Sequence, residues 1–309
     1  MARSRTGMIG MGIMGSAMAG NLLRAGFTVI GYDPAAACRA RHRKAGGIVA
    51  KTPDDVARSA NIVITSLPSA KALLEVADQI AKTKRTRRIV IETSTLPILV
   101  KEAARKRLAA AGVTLLDCPL SGTGAQARVK DLIVYGSGEL AAFKKTVPVL
   151  KGFSRGHYYV GKFGNGSKMK FAANLLVAIH NISTAEAVIL ARRSGLDPAL
   201  AVKVLGDGAG SSRMLQVRGP LMVRRSYRPA TVTNEIWKKD MAIIGEFVRR
   251  LKSPAPLFNA TKAIYRRAMA LGFAKADTAA VCAVLERKPG RASSRYTPQP
   301  TTRSPASSQ

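Results

Sequence analysis

Gly10-Met11-Gly12-Ile13-Met14-Gly15 is the stretch that decides the fold of this chain. Its G-x-G-x-x-G spacing is a weak signal alone and gains weight from its surroundings. A short apolar run, Gly7 to Gly10, leads into it. Ser16 to Ala25 follows at helical spacing, with Met18, Leu22 and Ala25 on one side, and Phe27 to Tyr32 then reads as a strand ending at Asp33. In such a strand–helix–strand unit each glycine has a task. Gly10 allows a tight turn, Gly12 lets the backbone approach a pyrophosphate, and Gly15 lets the helix pack closely on the strand. The free N–H groups of the first helical turn, at Ile13 and Met14, and the positive end of the helix dipole suit the phosphates. Asp33 stands where a carboxylate accepts hydrogen bonds from the adenosine ribose hydroxyls. It would repel a 2′-phosphate, which favours NAD; Arg39, Arg41 and Arg43 lie just beyond and keep NADP open. S-adenosylmethionine is a rival ligand for a similar fold, but the third glycine at this spacing favours a dinucleotide.

Working outward, strands are expected at Asn61 to Leu67, Arg88 to Glu92, Val113 to Leu116 and Leu132 to Tyr135, separated by helical stretches. That alternation predicts a mainly parallel sheet with helices on both faces, an α/β Rossmann domain over residues 1–161. Leu67 and Pro68, at the end of the third strand, join the candidate cofactor contacts. The pattern changes near Gly161. Ser167 to Ser194 reads as one long helix without Pro or Gly, Gly195 supplies a stop, and Asp197-Pro198 opens the next helix. Further helices are expected at Pro198 to Leu205, Val232 to Leu251, Ala255 to Leu271 and Ala276 to Arg287. Residues 162–287 should therefore form an all-α domain. Residues 288–309, rich in Ser, Thr, Pro and Arg, are expected to be a disordered tail.

A chain of 309 residues with 47% hydrophobic content can build two ordinary domains, so wholesale disorder is not expected. No unbroken apolar run reaches the ~18 residues that cross a bilayer, and the basic start lacks a signal-type apolar core. The expectation is a cytoplasmic protein with no membrane partner. Cys38, Cys118 and Cys282 are odd in number and widely spaced, which suggests neither a disulfide framework nor a zinc site. His42, His157 and His180 are equally scattered, and no metal site is expected. Fifty Lys and Arg against eighteen Asp and Glu give a formal net charge of +32. Such a surface attracts anions and holds nucleic acid non-specifically at low salt. The basic residues fall in short groups, among them Lys82 to Arg88 and Lys101 to Arg107, without any recognisable nucleic-acid motif, and aromatics make up 5%. A solvated basic surface that draws in an anionic cofactor and substrate is the simpler reading. The alternative, from another class, is a nucleic-acid- or chromatin-associated binder that keeps the fold.

Several segments, taken together and in order, resemble the β-hydroxyacid dehydrogenases, the family of 3-hydroxyisobutyrate dehydrogenase and tartronate semialdehyde reductase, with 6-phosphogluconate dehydrogenase more distant. Gly7 to Gly26 resembles the family's opening signature. Glu92-Thr93-Ser94-Thr95-Leu96-Pro97 resembles its D-x-S-T-x-x-P loop, which implies that Ser94 and Thr95 fix the nicotinamide or its ribose; a helix cap is the other use for them. Asp117 to Thr123 resembles D-A-P-V-S-G-G, a substrate-binding segment. Gly161 through Asn174 resembles G-x-x-G-x-G-x-x-x-K-x-x-N-N, which implies that Lys170 is the catalytic lysine, and Lys239-Asp240 resembles the K-D pair near the active site. The resemblance spans about residues 5 to 287. It implies an NAD(P)-dependent oxidoreductase acting on a small β-hydroxy acid, assembled as a homodimer or homotetramer through its helical domain.

The chemistry of these residues agrees. Lys170 and Asn174 are four apart on a predicted helix and share a face. A lysine enclosed beside other cations such as Lys239 has its pKa lowered, and can then accept a hydroxyl proton as hydride leaves. Asn174 would donate to the substrate oxygen or orient Lys170. Lys168, two residues away, points elsewhere. Ser121, Gly122 and Thr123 offer a hydroxyl and backbone N–H groups that suit a carboxylate. Thr123 stands for a family glycine, Ala173 for an asparagine and Glu92 for an aspartate, and these departures leave the identity of the acid open. An imine reductase resembles this fold but usually lacks the lysine.

Overall fold

A computed structural model describes residues 5–83 and 87–287; the expected tail falls outside them. The chain packs as two bodies. One runs through Leu176 and takes in Ala242–Ser253; the other holds Val177–Met241 and continues from Pro254.

The first body opens as β1 (Arg5–Ile9), α1 (Ile13–Arg24), β2 (Thr28–Tyr32), α2 (Ala36–Lys44), β3 (Ile48–Val49), α3 (Pro53–Ser59), β4 (Ile62–Thr65), α4 (Ala70–Lys82), β5 (Arg88–Glu92), α5 (Ile98–Ala110) and β6 (Val113–Asp117). These six strands form a parallel sheet in the order β3-β2-β1-β4-β5-β6, the doubly wound arrangement whose order reverses between β1 and β4. Both faces are covered, which is why the strands read as unbroken apolar runs. Met8, Val29, Ile64, Ile91 and Leu116 pack into one core. Their neighbours Ile9, Ile30, Val63, Val90 and Leu115 pack into the other, as the two-residue period of a strand requires.

Next come β7 (Leu120–Ser121), α6 (Gly124–Arg128), β8 (Ile133–Gly136), α7 (Leu140–Phe153) and β9 (Gly156–Tyr159). The strand expected at Leu132 to Tyr135 exists, but it is the middle of a separate three-stranded sheet, β7-β8-β9, antiparallel to β7 and parallel to β9. β7 is only two residues long and β9 is Gly156-His157-Tyr158-Tyr159, so neither carries the apolar pattern that would have announced it.

The helices continue as α8 (Asn165–Arg193), α9 (Pro198–Asp207), α10 (Arg213–Val223), α11 (Asn234–Arg250), α12 (Pro256–Ala270) and α13 (Val281–Glu286), the last preceded by a 3₁₀ turn at Thr278–Ala280. No helix was expected at Arg213–Val223, because Gly219 and Pro220 lie inside it; Ser212 caps its start by accepting from the Leu215 N–H. α8 is long and apolar enough to cross a membrane by length and composition, a property that counting unbroken apolar runs missed. Of that apolar stretch 44% is buried; on its buried side Asn181 donates to the Tyr265 hydroxyl and the Thr278 carbonyl.

The change of pattern near Gly161 is where strands give way to helices, but the first body's packing carries on to Leu176. The reason is local: the first turns of α8 are tied to the end of β6, as described next.

Candidate active site

The parallel strands end in register. Ile9 is paired with Tyr32 and with Thr65, Thr65 with Glu92, and Glu92 with Asp117. The residues that follow, Gly10, Asp33, Ser66, Thr93 and Cys118, therefore form one row along the carboxyl edge of the sheet. That edge, at the reversal of strand order, is where open α/β sheets bind ligands.

The glycine-rich turn divides its three glycines by role. Gly10 has φ +87°, and a Cβ there would lie 2.2 Å from the Ser66 carbonyl oxygen. A Cβ on Gly15 would lie 1.9 Å from the Gly10 oxygen. Those two are demanded by the chain itself. A Cβ on Gly12 would meet nothing within 4 Å. The chain does not need that glycine; a phosphate seated against it would. Gly12 and Ile13 are exposed and Met14 half-buried, so the opening of α1 presents free N–H groups outward. These features fit a dinucleotide pyrophosphate.

Asp33 is 8% exposed. Its carboxylate accepts from the Met11 N–H at 2.7 Å and from the Ala35 N–H at 2.8 Å, so it braces the turn from the end of β2. Arg39 is directed to the carbonyls of Asp33 and Pro34, and Arg41 donates to the Cys38 sulfur.

At the ends of β4 and β5, the Leu67 N–H donates to Ser94 Oγ at 2.8 Å. The Ser94 N–H in turn donates to Glu92 at 2.9 Å. Pro68 is exposed and Thr95 half-buried. The helix that follows, α5, has Pro97 at its N-cap position and no side-chain cap, so neither Ser94 nor Thr95 serves that purpose.

Beneath them Lys101, fully buried, lies 2.6 Å from Glu92 and 2.8 Å from Asp117, both also fully buried. Burial acts to depress this ammonium, but the attraction of Asp117 and Glu92 outweighs it and holds the group above the ordinary lysine range. Burial and Asp117 push the adjacent Cys118 thiol well up, so it carries no reactive thiolate.

Asp117 then takes hold of α8. It accepts from the Ser167 N–H at 2.8 Å and from Ser167 Oγ at 2.9 Å, while Ser137 Oγ accepts from the Gly166 N–H at 2.9 Å. A Cβ on Gly166 would lie 2.4 Å from the Tyr135 oxygen and 2.5 Å from the Asp117 oxygen. Lys170 follows on the same helix and is half-buried; Asn174 is 4% exposed. Lys168 is exposed and reaches back to Asn165.

The Ser121 turn is shaped by Gly122, at φ +133°. The Thr123 side chain forms a capping box with Gln126 at the start of α6, so its hydroxyl accepts from the Gln126 N–H. Gln126 passes the contact on to Asp131, which pairs with Arg155. Lys239 belongs to the second body, where it lies 3.4 Å from Asp240.

Comparison with known proteins gives the same picture. Residues 5–161 match the NAD-binding domain of 6-phosphogluconate dehydrogenase, and residues 164–285 match the NAD-binding domain of NADP-dependent 3-hydroxyisobutyrate dehydrogenase. The chain belongs to the β-hydroxyacid dehydrogenase family. It is 32% identical over 292 residues to the L-threonate dehydrogenase of Cupriavidus necator, which covers 93% of this chain and 98% of that one. It is 30% identical over 289 residues to the mitochondrial 3-hydroxyisobutyrate dehydrogenase of Rattus norvegicus, covering 91% and 86%. The crystal structure of 3-hydroxyisobutyrate dehydrogenase from Salmonella typhimurium superposes with a TM-score of 0.81 at 27% identity, covering 91% of this chain and 99% of that one. Like its family, this β-hydroxyacid dehydrogenase uses NAD(P).

Lys101 corrects one expectation. Its group, Lys101 to Arg107, reads in sequence as solvated positive charge, yet its first member is the most deeply buried lysine described, at 0% exposure. Ser137 and Ser167 were likewise missed. Neither has a local signal, since their partners lie 20 to 50 positions away.

Proposed function

We propose that the protein oxidises a small anionic β-hydroxy acid with NAD, in preference to NADP, and that Lys170 moves the hydroxyl proton. The observation that carries this reading is the anchoring of the head of α8 by Asp117, in the strand-end row that also leads into Gly10, Asp33 and Ser94. Lys170 lies three residues beyond Ser167, roughly 4.5 Å along the helix axis.

The dinucleotide, when bound, supplies the hydride acceptor. Gly12, Ile13 and Met14 would meet its pyrophosphate and Asp33 its ribose. Leu67, Pro68, Ser94 and Thr95 would border its nicotinamide end. The Ser121 hydroxyl and the Gly122 N–H would hold the substrate carboxylate, with Thr123, whose own N–H is given to Gln126 Oε1, shaping the turn beside it. Lys170 Nζ, in its neutral form, accepts the hydroxyl proton and returns it in the reverse direction. Asn174, one turn further on the same face, donates to the same oxygen or steadies Lys170. The hydroxy acids named for the relatives, threonate and 3-hydroxyisobutyrate, are the first to try. We place the enzyme in the cytoplasm as a homodimer or homotetramer, with residues 1–161 as the cofactor domain and 162–287 as the substrate and assembly domain.

The test is NADH formation over a panel of 3-hydroxy acids and L-threonate. Lys170→Ala is expected to lower turnover by ~10²-fold or more while NADH still binds. Near-normal turnover would remove Lys170 from its role, and a wild-type protein that oxidises none of the acids would overturn the whole reading.

A further inference from the structure

We propose that Lys101 is a positioning residue, clasping the nicotinamide-side turn and the head of the Lys170 helix to a single buried point. The inference rests on the role proposed above for Lys170. Glu92 and Asp117 end adjacent strands and sit side by side in register. Two carboxylates so placed, both at 0% exposure, repel strongly unless a cation lies between them. Lys101 comes from α5, the helix that joins those two strands, and reaches both. One positive and two negative charges leave an excess of one negative. The N-terminus of α8 answers it, donating the Ser167 N–H and hydroxyl to Asp117.

Each carboxylate has work on two sides. Glu92 Oε2 faces Lys101, and its Oε1 accepts from the Ser94 N–H, whose hydroxyl holds the Leu67 N–H. Asp117 Oδ1 accepts from Lys101 and Ser167 Oγ, and its Oδ2 from the Ser167 N–H. A staple that only stabilised the sheet would not need to end on a candidate cofactor loop at one side and on the candidate proton-transfer helix at the other.

An amide has one accepting oxygen, so Glu92→Gln and Asp117→Asn each cut one arm. Glu92→Gln is expected to raise the Kd for NADH by ~10-fold while kcat at saturating NAD moves little. Asp117→Asn is expected to lower kcat by ~10-fold while the NADH Kd stays within about twofold. Amide hydrogen exchange of the cofactor-free protein gives a readout apart from turnover. Exchange should quicken at residues 93–97 in the first variant, at 164–170 in the second, and at both in Lys101→Met. If Lys101→Met fails to fold, the two amide variants decide. A wild type that oxidises no acid would sink the catalytic reading, and NADH binding and exchange would still judge the clasp. Lower Tm in both amide variants, with unchanged kcat and Kd per folded molecule and no segment-specific exchange, would reduce Lys101 to a staple of the fold.

Discussion

The glycine-rich turn and the head of α8 stand at the same edge of the same sheet, and each opens a helix, yet they are held by opposite means. The turn is made by side chains that are missing: Gly10 leaves room for the Ser66 carbonyl and Gly15 for the Gly10 carbonyl. The head of α8 is made by side chains that are present and buried, Asp117, Ser137 and Ser167, with Gly166 the one place where an extra atom would not fit. A region built from absences fails when an atom is added. One built from buried polar partners fails when a partner is lost, because the remaining group keeps its desolvation cost.

Substitutions can break or sharpen that contrast. The largest effect is expected from Gly15→Ala, where the added methyl meets a carbonyl oxygen at 1.9 Å and the backbone must move. Urea denaturation should show a loss of ~3 kcal/mol or more, at the top of the range for overpacking. Ser137→Ala removes the acceptor of the Gly166 N–H and should cost ~1–3 kcal/mol, with no steric component; a neutral result would mean that the head of α8 does not depend on its polar partners. Gly12→Ala separates the turn's two duties. Its Cβ meets nothing in the protein, so stability should stay within ~1 kcal/mol. NADH affinity measured by fluorescence should fall by ~10-fold or more, and unaltered binding would mean that no phosphate sits there. The smallest expected change is in the coenzyme ratio of Asp33→Ala: kcat/KM should fall with both coenzymes, because the Met11 and Ala35 N–H groups lose their acceptor, but less with NADP than with NAD; an unchanged ratio would mean that Asp33 never meets the ribose.

The same contrast explains what could be read from the sequence. Gly10, Gly12, Gly15 and Asp33 lie within 24 residues of one another, and their constraints are local and steric, so spacing alone displays them. The parallel sheet was legible for the same reason: strands buried on both faces must be apolar throughout. Lys170 and Asn174 stood out through a resemblance, not through their own chemistry. What held their helix did not stand out. Ser167 meets Asp117 across 50 positions, and Lys101 meets Asp117 across 16, and neither pairing leaves a period or a motif. Buried charge is also the hardest feature to infer, because lysine is nearly always solvated. The two-residue β7 and the proline-containing α10 were missed for a simpler reason: one is too short to show alternation, the other carries a helix breaker.

The double use of Asp33 matters to anyone who would redesign the coenzyme choice. The carboxylate that would discriminate against a 2′-phosphate also takes the Met11 N–H, so truncating it loosens the loop proposed to grip either coenzyme. A redesign at this position alone trades selectivity for grip. Asparagine, whose carbonyl can still receive that N–H while shedding the charge, is the more promising starting substitution, with new cationic contacts recruited from α2 rather than from the turn.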